Sequence, residues 1–228
     1  VEHLIGDFTP FTEVLIKKNG ADWNTYVSDS EGYISFIYNE GFSTVTFEAQ
    51  AGSEMPQGNY TILKPGWNLI SVPFIQEEQD LTSVLDSIEG WYDEVQWYDT
   101  SDAEDPWKHS KTDKPFGNDL SQLNETMGFW VHITKPGGII FEYNGTEPAL
   151  SQQITLYKGW NLVGYPSLMS HGRTDGMNNL NFGADVNDIQ WYDASTSTWN
   201  TMGENDHFKK GVGYWIYASD NTVWDVPL

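Results

Sequence analysis

A duplication constrains the fold of this chain more than anything in its composition. Leu63-Lys64-Pro65-Gly66-Trp67-Asn68-Leu69-Ile70-Ser71-Val72-Pro73 is matched by Leu156-Tyr157-Lys158-Gly159-Trp160-Asn161-Leu162-Val163-Gly164-Tyr165-Pro166. Glu94-Val95-Gln96-Trp97-Tyr98-Asp99 is matched by Asp188-Ile189-Gln190-Trp191-Tyr192-Asp193, and Trp107 falls opposite Trp199. Gly128-Phe129-Trp130-Val131-His132-Ile133 is matched by Gly213-Tyr214-Trp215-Ile216-Tyr217-Ala218, and Ile140-Phe141-Glu142 by Val223-Trp224-Asp225. The blocks occur in one order, and length differs only between them. The repeated unit must therefore fold within roughly 75–90 residues, the size of a small domain. Boundaries follow at 1–57, with no third copy, 58–147 for the first copy and 148–228 for the second.

The blocks read as β-strands. Gly-Trp-Asn-Leu opens a short apolar run that proline stops, and Phe129, Val131 and Ile133 alternate with Trp130, His132 and Thr134. Asp80 precedes Leu81, Val84, Leu85 and Ile88, a helical spacing behind a capping residue that predicts one or two turns of helix. The Gly-, Asn- and Met-rich stretch at 176–183 predicts no counterpart in the second copy. In the N-terminal segment strands are expected at 12–18, 32–38 and 44–49, with turns at 28–31 and a joint at 54–58. The expected class is all-β: a small N-terminal β-sandwich followed by two tandem homologous β-repeat domains.

Composition excludes several functions. Eleven basic against 33 acidic residues give a net charge of −22, and Arg173 is the sole arginine. No basic face for nucleic acid can be assembled, and a phosphate-handling enzyme lacks its usual ligand. Without cysteine there is no disulfide, thiol nucleophile or zinc finger. No apolar run approaches the roughly 18 residues of a membrane-spanning helix. A first residue of Val1, not Met, predicts a removed leader or a piece of a longer chain.

The repeated Gly-Trp-Asn-Leu blocks and the Gly-[Phe/Tyr]-Trp-[Val/Ile] blocks resemble the tandem GWNL-type β-repeats of archaeal and bacterial secreted and cell-surface proteins. The second copy departs from that pattern at Gly164-Tyr165. The N-terminal segment is similar in style to immunoglobulin-like or transthyretin-like surface sandwiches. The resemblance implies an extracellular, surface-layer-like or adhesin-like setting and brings no catalytic residues.

Candidate sites are few. Trp67/160, Trp97/191, Trp107/199 and Trp130/215 account for eight of the 11 tryptophans, and their pairing predicts positions in the fold template, largely buried. Unpaired Trp23 and Trp91 are then the candidates for stacking on sugar rings. Asp99, Asp102, Glu104 and Asp105 crowd one loop and are candidate calcium ligands, although the Gly and Glu of a helix-flanked calcium loop are missing. Asn59, Asn124 and Asn144 stand in glycosylation sequons. The histidines are scattered and no catalytic motif is present, so no enzyme activity is expected. The sequence reads as a non-catalytic structural or adhesive protein of the cell surface, a surface-layer, filament or adhesin building block. Its partners would be copies of itself, other surface proteins or a polysaccharide, with Val1 to Lys18 as a donated strand in a filament. The alternative is a carbohydrate-binding module of a larger secreted hydrolase.

Overall fold

Each copy is organised around a turn that its Asn locks. Gly66 and Gly159 adopt φ of +87° and +102°, which side-chain-bearing residues rarely take. The Asn68 side chain then spans the turn. Its Oδ1 accepts from Lys64 N (2.8 Å), and its Nδ2 donates to Lys64 O (2.7 Å) and Gly66 O (2.9 Å). Asn161 repeats all three bonds with Tyr157 and Gly159. Both side chains are buried beneath a part-buried turn, so each amide spends its hydrogen-bonding groups on the turn backbone above it.

The computed structural model describes residues 2–6, 8, 13–28, 32–38, 45–51, 59–114 and 116–228; the turn expected at 28–31, apart from Ser28, and the joint expected at 54–58 lie outside these. The described chain is predominantly antiparallel β. The N-terminal strands are β1 (Glu2–Ile5), β2 (Glu13–Lys18), β3 (Ala21–Val27), β4 (Ile34–Ile37) and β5 (Phe47–Ala51). Then follow β6 (Tyr60–Leu63), β7 (Gly66–Ser71), α1 (Leu81–Val84), β8 (Tyr92–Tyr98), β9 (Trp107–Lys111), β10 (Gly128–Ile133) and β11 (Ile139–Glu142). The last part holds β12 (Gln152–Leu156), β13 (Gly159–Val163), β14 (His171–Gly172), α2 (Arg173–Met177), β15 (Val186–Asp193), β16 (Thr198–Thr201), β17 (His207–Phe208), β18 (Tyr214–Ala218) and β19 (Thr222–Val226).

The matched blocks occupy matched places. One four-stranded sheet runs β7-β10-β8-β9 and the other β13-β18-β15-β16, while β6 pairs with β11 as β12 pairs with β19. Trp130 lies opposite Leu69 and Gln96, and Trp215 opposite Leu162 and Gln190. Both sheets slip register at one place, past Asp93 in the first and Asn187 in the second. Alternation assigns the faces as expected: Phe129, Val131 and Ile133 are buried in a core with Leu85, Ile88, Val95 and Phe141, and Trp130 and His132 face the other way.

Asp80 caps α1, its Oδ1 accepting from Ser83 N at 3.0 Å, and hydrogen bonds from Ser83 and Thr82 hold its carboxyl down at about 2. The second copy does form a short helix, contrary to the sequence expectation. Gly176 is the reason: a Cβ there would lie 2.4 Å from the Phe208 ring, and Trp224 Nε1 donates to Gly176 O at 2.9 Å. The second core is correspondingly aromatic. Tyr165, Phe208, Tyr214 and Trp224 pack together where the first has Val72, Leu123, Phe129 and Phe141. Burial raises the Tyr165 hydroxyl to about 12.

A third buried cluster, Val14, Ile16, Ile34 and Phe36, lies in the N-terminal part, with Trp23, Tyr26 and Phe47 against it. There β1 pairs with β4, and β2 is central between β3 and β5. The stretch expected to be donated to a neighbour is thus paired within its own chain over 2–5 and 13–18. Gly137 meets this part, since a Cβ on it would lie 2.3 Å from Thr25 O. Among the described residues no helix is long and apolar enough to cross a membrane.

The Asn clamp is testable. Asn68→Ala strands three turn groups in a part-buried setting, and a loss of about 3 kcal/mol in urea unfolding is expected, against under about 1 kcal/mol if the clamp is incidental.

Candidate functional site

The two four-stranded sheets meet at glycines. A Cβ on Gly128 would lie 2.3 Å from Val163 O, and one on the matched Gly213 would lie 2.8 Å from Ile70 O. Bridges Ile70↔Val212 and Met127↔Val163 are the same contact made in both directions. Such reciprocity is what two copies related by a two-fold axis produce. One fastening bond is made in both directions too, Ser71 N to Gly211 O (3.1 Å) and Gly164 N to Thr126 O (2.8 Å), while others differ: Ser71 Oγ donates to Val212 O (2.9 Å), and Gly164 has no hydroxyl to match it. On one flank Trp97 Nε1 donates to Leu162 O (3.3 Å) and Thr100 Oγ1 to Trp160 O (3.0 Å). Gly164 has a steric cause: a Cβ there would stand 2.6 Å from Glu125 O, so the serine of the first copy does not fit.

Between the sheets lies an open cleft of about 670 Å³ lined by Trp67, Gln96, Tyr98, Trp107 and Trp130 and by their counterparts Trp160, Gln190, Tyr192, Trp199 and Trp215. Alternation puts them there, because each points away from its own sheet's core. The rings form two groups, and each takes rings from both copies. Trp130 lies 6.3 Å from Trp67, 5.1 Å from Tyr192 and 5.6 Å from Trp199. Trp215 lies 6.3 Å from Trp160, 5.2 Å from Tyr98 and 5.9 Å from Trp107. The contacts are edge-on or tilted, with no ring stacked flat on another. Gln96 Nε2 donates to Glu94 Oε1 (2.6 Å) and Gln190 Nε2 to Asp188 Oδ2 (2.8 Å), which fixes both amides.

The paired tryptophans are therefore not mainly core. Trp107 and Trp199 are 42% and 51% exposed, and Trp67, Trp130, Trp160 and Trp215 are half-buried. Only Trp97 and Trp191 pack against the cores, as partly buried rings. A signal in the sequence separates the two classes. All five cleft pairs are identical in type, whereas the core mixes identical pairs, Leu63/Leu156 and Leu69/Leu162, with diverged ones, Val72/Tyr165, Leu123/Phe208, Ile133/Ala218 and Phe141/Trp224. The flanks have diverged too. Lys111 approaches Glu94 at 3.0 Å, but continuing the register puts Gly203 there in the second copy, and Asp188 Oδ1 has no hydrogen-bond partner.

The other expected site residues lie elsewhere. Trp23 packs 5.4 Å from Phe36 and from Phe47 in the N-terminal cluster. Trp91 is exposed at the entry to β8 with Lys135 Nζ 5.4 Å from its ring. Asp99 Oδ1 accepts from Ser101 N (2.9 Å), as Asp193 Oδ1 does from Ser195 N (2.8 Å), so this acid organises a turn in both copies. Asp102 Oδ1 accepts from Glu104 N and Asp105 N, and its Oδ2 from Lys108 Nζ (2.7 Å), which holds its carboxyl below the usual range. Lys108 Nζ also lies 3.9 Å from Asp105, so a lysine already sits among these carboxylates. Among the described residues no three His, Asp or Glu side chains converge in a way that could hold a metal ion. Asn144 is exposed, while Asn124 closes a turn with Thr126 (3.0 Å) and Asn59 Oδ1 accepts from Lys210 Nζ (3.1 Å).

No family model, curated protein or solved structure matches the chain.

Core and cleft tryptophans should part in a stability measurement. Trp224→Ala, at a fully buried ring, is expected to cost about 3–5 kcal/mol. Trp107→Ala and Trp199→Ala should each cost under about 1.5 kcal/mol, because those rings contribute mainly edge contacts. Equal losses in urea unfolding would return the cleft rings to a packing role.

Proposed function

We propose that this chain is a non-catalytic binding module and that the cleft between its two copies takes a saccharide chain. The architecture belongs to the proposal: a small N-terminal β-sandwich followed by two copies of one β-repeat domain, carried outside the cell on a surface or secreted protein. The observation that carries the reading is that all five pairs meeting in the uncharged, ring-lined cleft are identical, while the core keeps only some of its pairs and exchanges others. Packing alone does not require it, because the cores exchanged valine for tyrosine and phenylalanine for tryptophan and still closed.

Sugar rings have apolar C–H faces and hydroxyl edges. Trp and Tyr faces suit the former, and the two fixed glutamine amides suit the latter. The lining holds no charged side chain, which matches an uncharged ligand in a chain of net charge −22. The test is a polysaccharide screen by affinity electrophoresis, followed by calorimetry with Trp107→Ala and Trp199→Ala. Each substitution should weaken binding by about 30-fold, the effect of an anchoring tryptophan worth about 2 kcal/mol, with the circular dichroism spectrum unchanged. Retention of full affinity by both variants, or no binding across the screen, rejects the reading.

A second reading, a surface-assembly building block, is favoured by Leu4 and Ile37. They share one face of the β1–β4 pair and are 69% and 66% exposed. Sedimentation velocity should then show concentration-dependent association that Leu4→Ser with Ile37→Ser abolishes, and a monomer at all concentrations would dismiss it.

A further inference from the structure

We infer that the cleft consists of two equivalent half-sites that grip successive stretches of one linear, regularly repeating saccharide along its length, not at a chain end. The inference rests on the saccharide reading above and goes further in specifying the ligand's form.

One half-site is Trp67, Trp130, Tyr192 and Trp199; the other is Trp160, Trp215, Tyr98 and Trp107. Each contributes the same four ring types in the same contacts, at distances that agree within a few tenths of an ångström: 6.3, 5.1 and 5.6 Å against 6.3, 5.2 and 5.9 Å. Each has one glutamine beside its central tryptophan in the sheet, Gln96 opposite Trp130 and Gln190 opposite Trp215. About the two-fold the two surfaces meet a chain in opposite senses, so both are engaged together by a ligand whose repeating units present the same ring faces to either half-site. A chain end differs from every other unit, and its recognition needs a polar set found once. The cleft has no such set, since its polar groups, the Gln96 and Gln190 amides, the Tyr98 and Tyr192 hydroxyls and the indole N–H groups, all occur as equivalent pairs. The residues that break the equivalence, Lys111 against Gly203 and His132 against Tyr217, lie outside the lining.

The consequence is a change of stoichiometry with ligand length. Cello-, chito-, manno- and xylo-oligosaccharide ladders from disaccharide to hexasaccharide would be titrated into the full chain by calorimetry. For the ladder that binds, disaccharides should occupy two sites per chain and hexasaccharides one. The hexasaccharide should bind roughly 100-fold tighter, because its second contact is intramolecular. Trp107→Ala and Trp199→Ala should each reduce disaccharide stoichiometry to one, and should weaken the hexasaccharide by similar factors. A hexasaccharide capped at its reducing end should bind as the free one does. One disaccharide per chain in the unaltered protein, one substitution abolishing binding while the other is silent, or sensitivity to the end cap overturns the inference and leaves the saccharide reading standing. No binding by any ladder or polysaccharide overturns both.

Discussion

The cleft exists because two backbones touch where no Cβ intervenes. At Gly128 and Gly213 the strands approach the partner copy's carbonyls so closely that even a methyl group would overlap them. That approach brings Trp130 of one sheet within ring contact of Tyr192 and Trp199 of the other, and Trp215 within contact of Tyr98 and Trp107. Moving the sheets apart by the width of a methyl would cost both sets of ring contacts and the Trp97 and Thr100 bonds across the flank. The glycine that opens each Gly-[Phe/Tyr]-Trp-[Val/Ile] block therefore serves the junction between copies, while the next three residues serve the core, the cleft and the core in turn.

The sequence carried much of this. Strand periodicity placed Phe129, Val131 and Ile133 on one face, and Asp80 announced its helix, because both signals are local. In the N-terminal part Val45, Phe47 and Ala49 turn inward and Thr46 and Glu48 outward, again as alternation requires. The tryptophans were misjudged for a physical reason. Alternation says that a strand has two faces, and it does not say what covers the second one. Trp130 faces away from its own core, yet it is covered by the other copy, and only tertiary structure supplies that fact. The helix at 173–177 was missed because helix propensity counts Gly176 as a breaker, whereas packing needed a residue without a side chain beneath Phe208.

The acidic composition takes a different place in the molecule from the one its motifs imply. Carboxylates such as Asp99, Asp102 and Asp193 accept from nearby backbone and hydroxyl groups and thereby close loops. Lys108, one of few cations, is spent on Asp102. The cleft itself has no formal charge. Were the cleft to take a ligand as proposed, its apolar rings and uncharged amides within a surrounding negative field would disfavour an anionic one by repulsion.

Duplication also changes what a small domain can build. One copy of about 80 residues has a single apolar core and little area left for a concave surface. Joined face to face about an axis, each outward ring counts twice, so four positions, three of tryptophan and one of tyrosine, supply the eight rings that line the cleft. Those rings would form an exposed apolar patch on a lone copy, an aggregation liability. The junction must therefore hold whether or not a ligand is present. Its fastening is two-fold in the backbone bonds of Ser71 and Gly164 and one-sided in its hydroxyls, with Ser71 Oγ unmatched at Gly164 and Thr100 standing where the second copy has Ala194. Residues that only fasten can differ between copies as long as the total holds. On the saccharide reading proposed above, residues that present the same surface twice are held alike, as the five identical cleft pairs are.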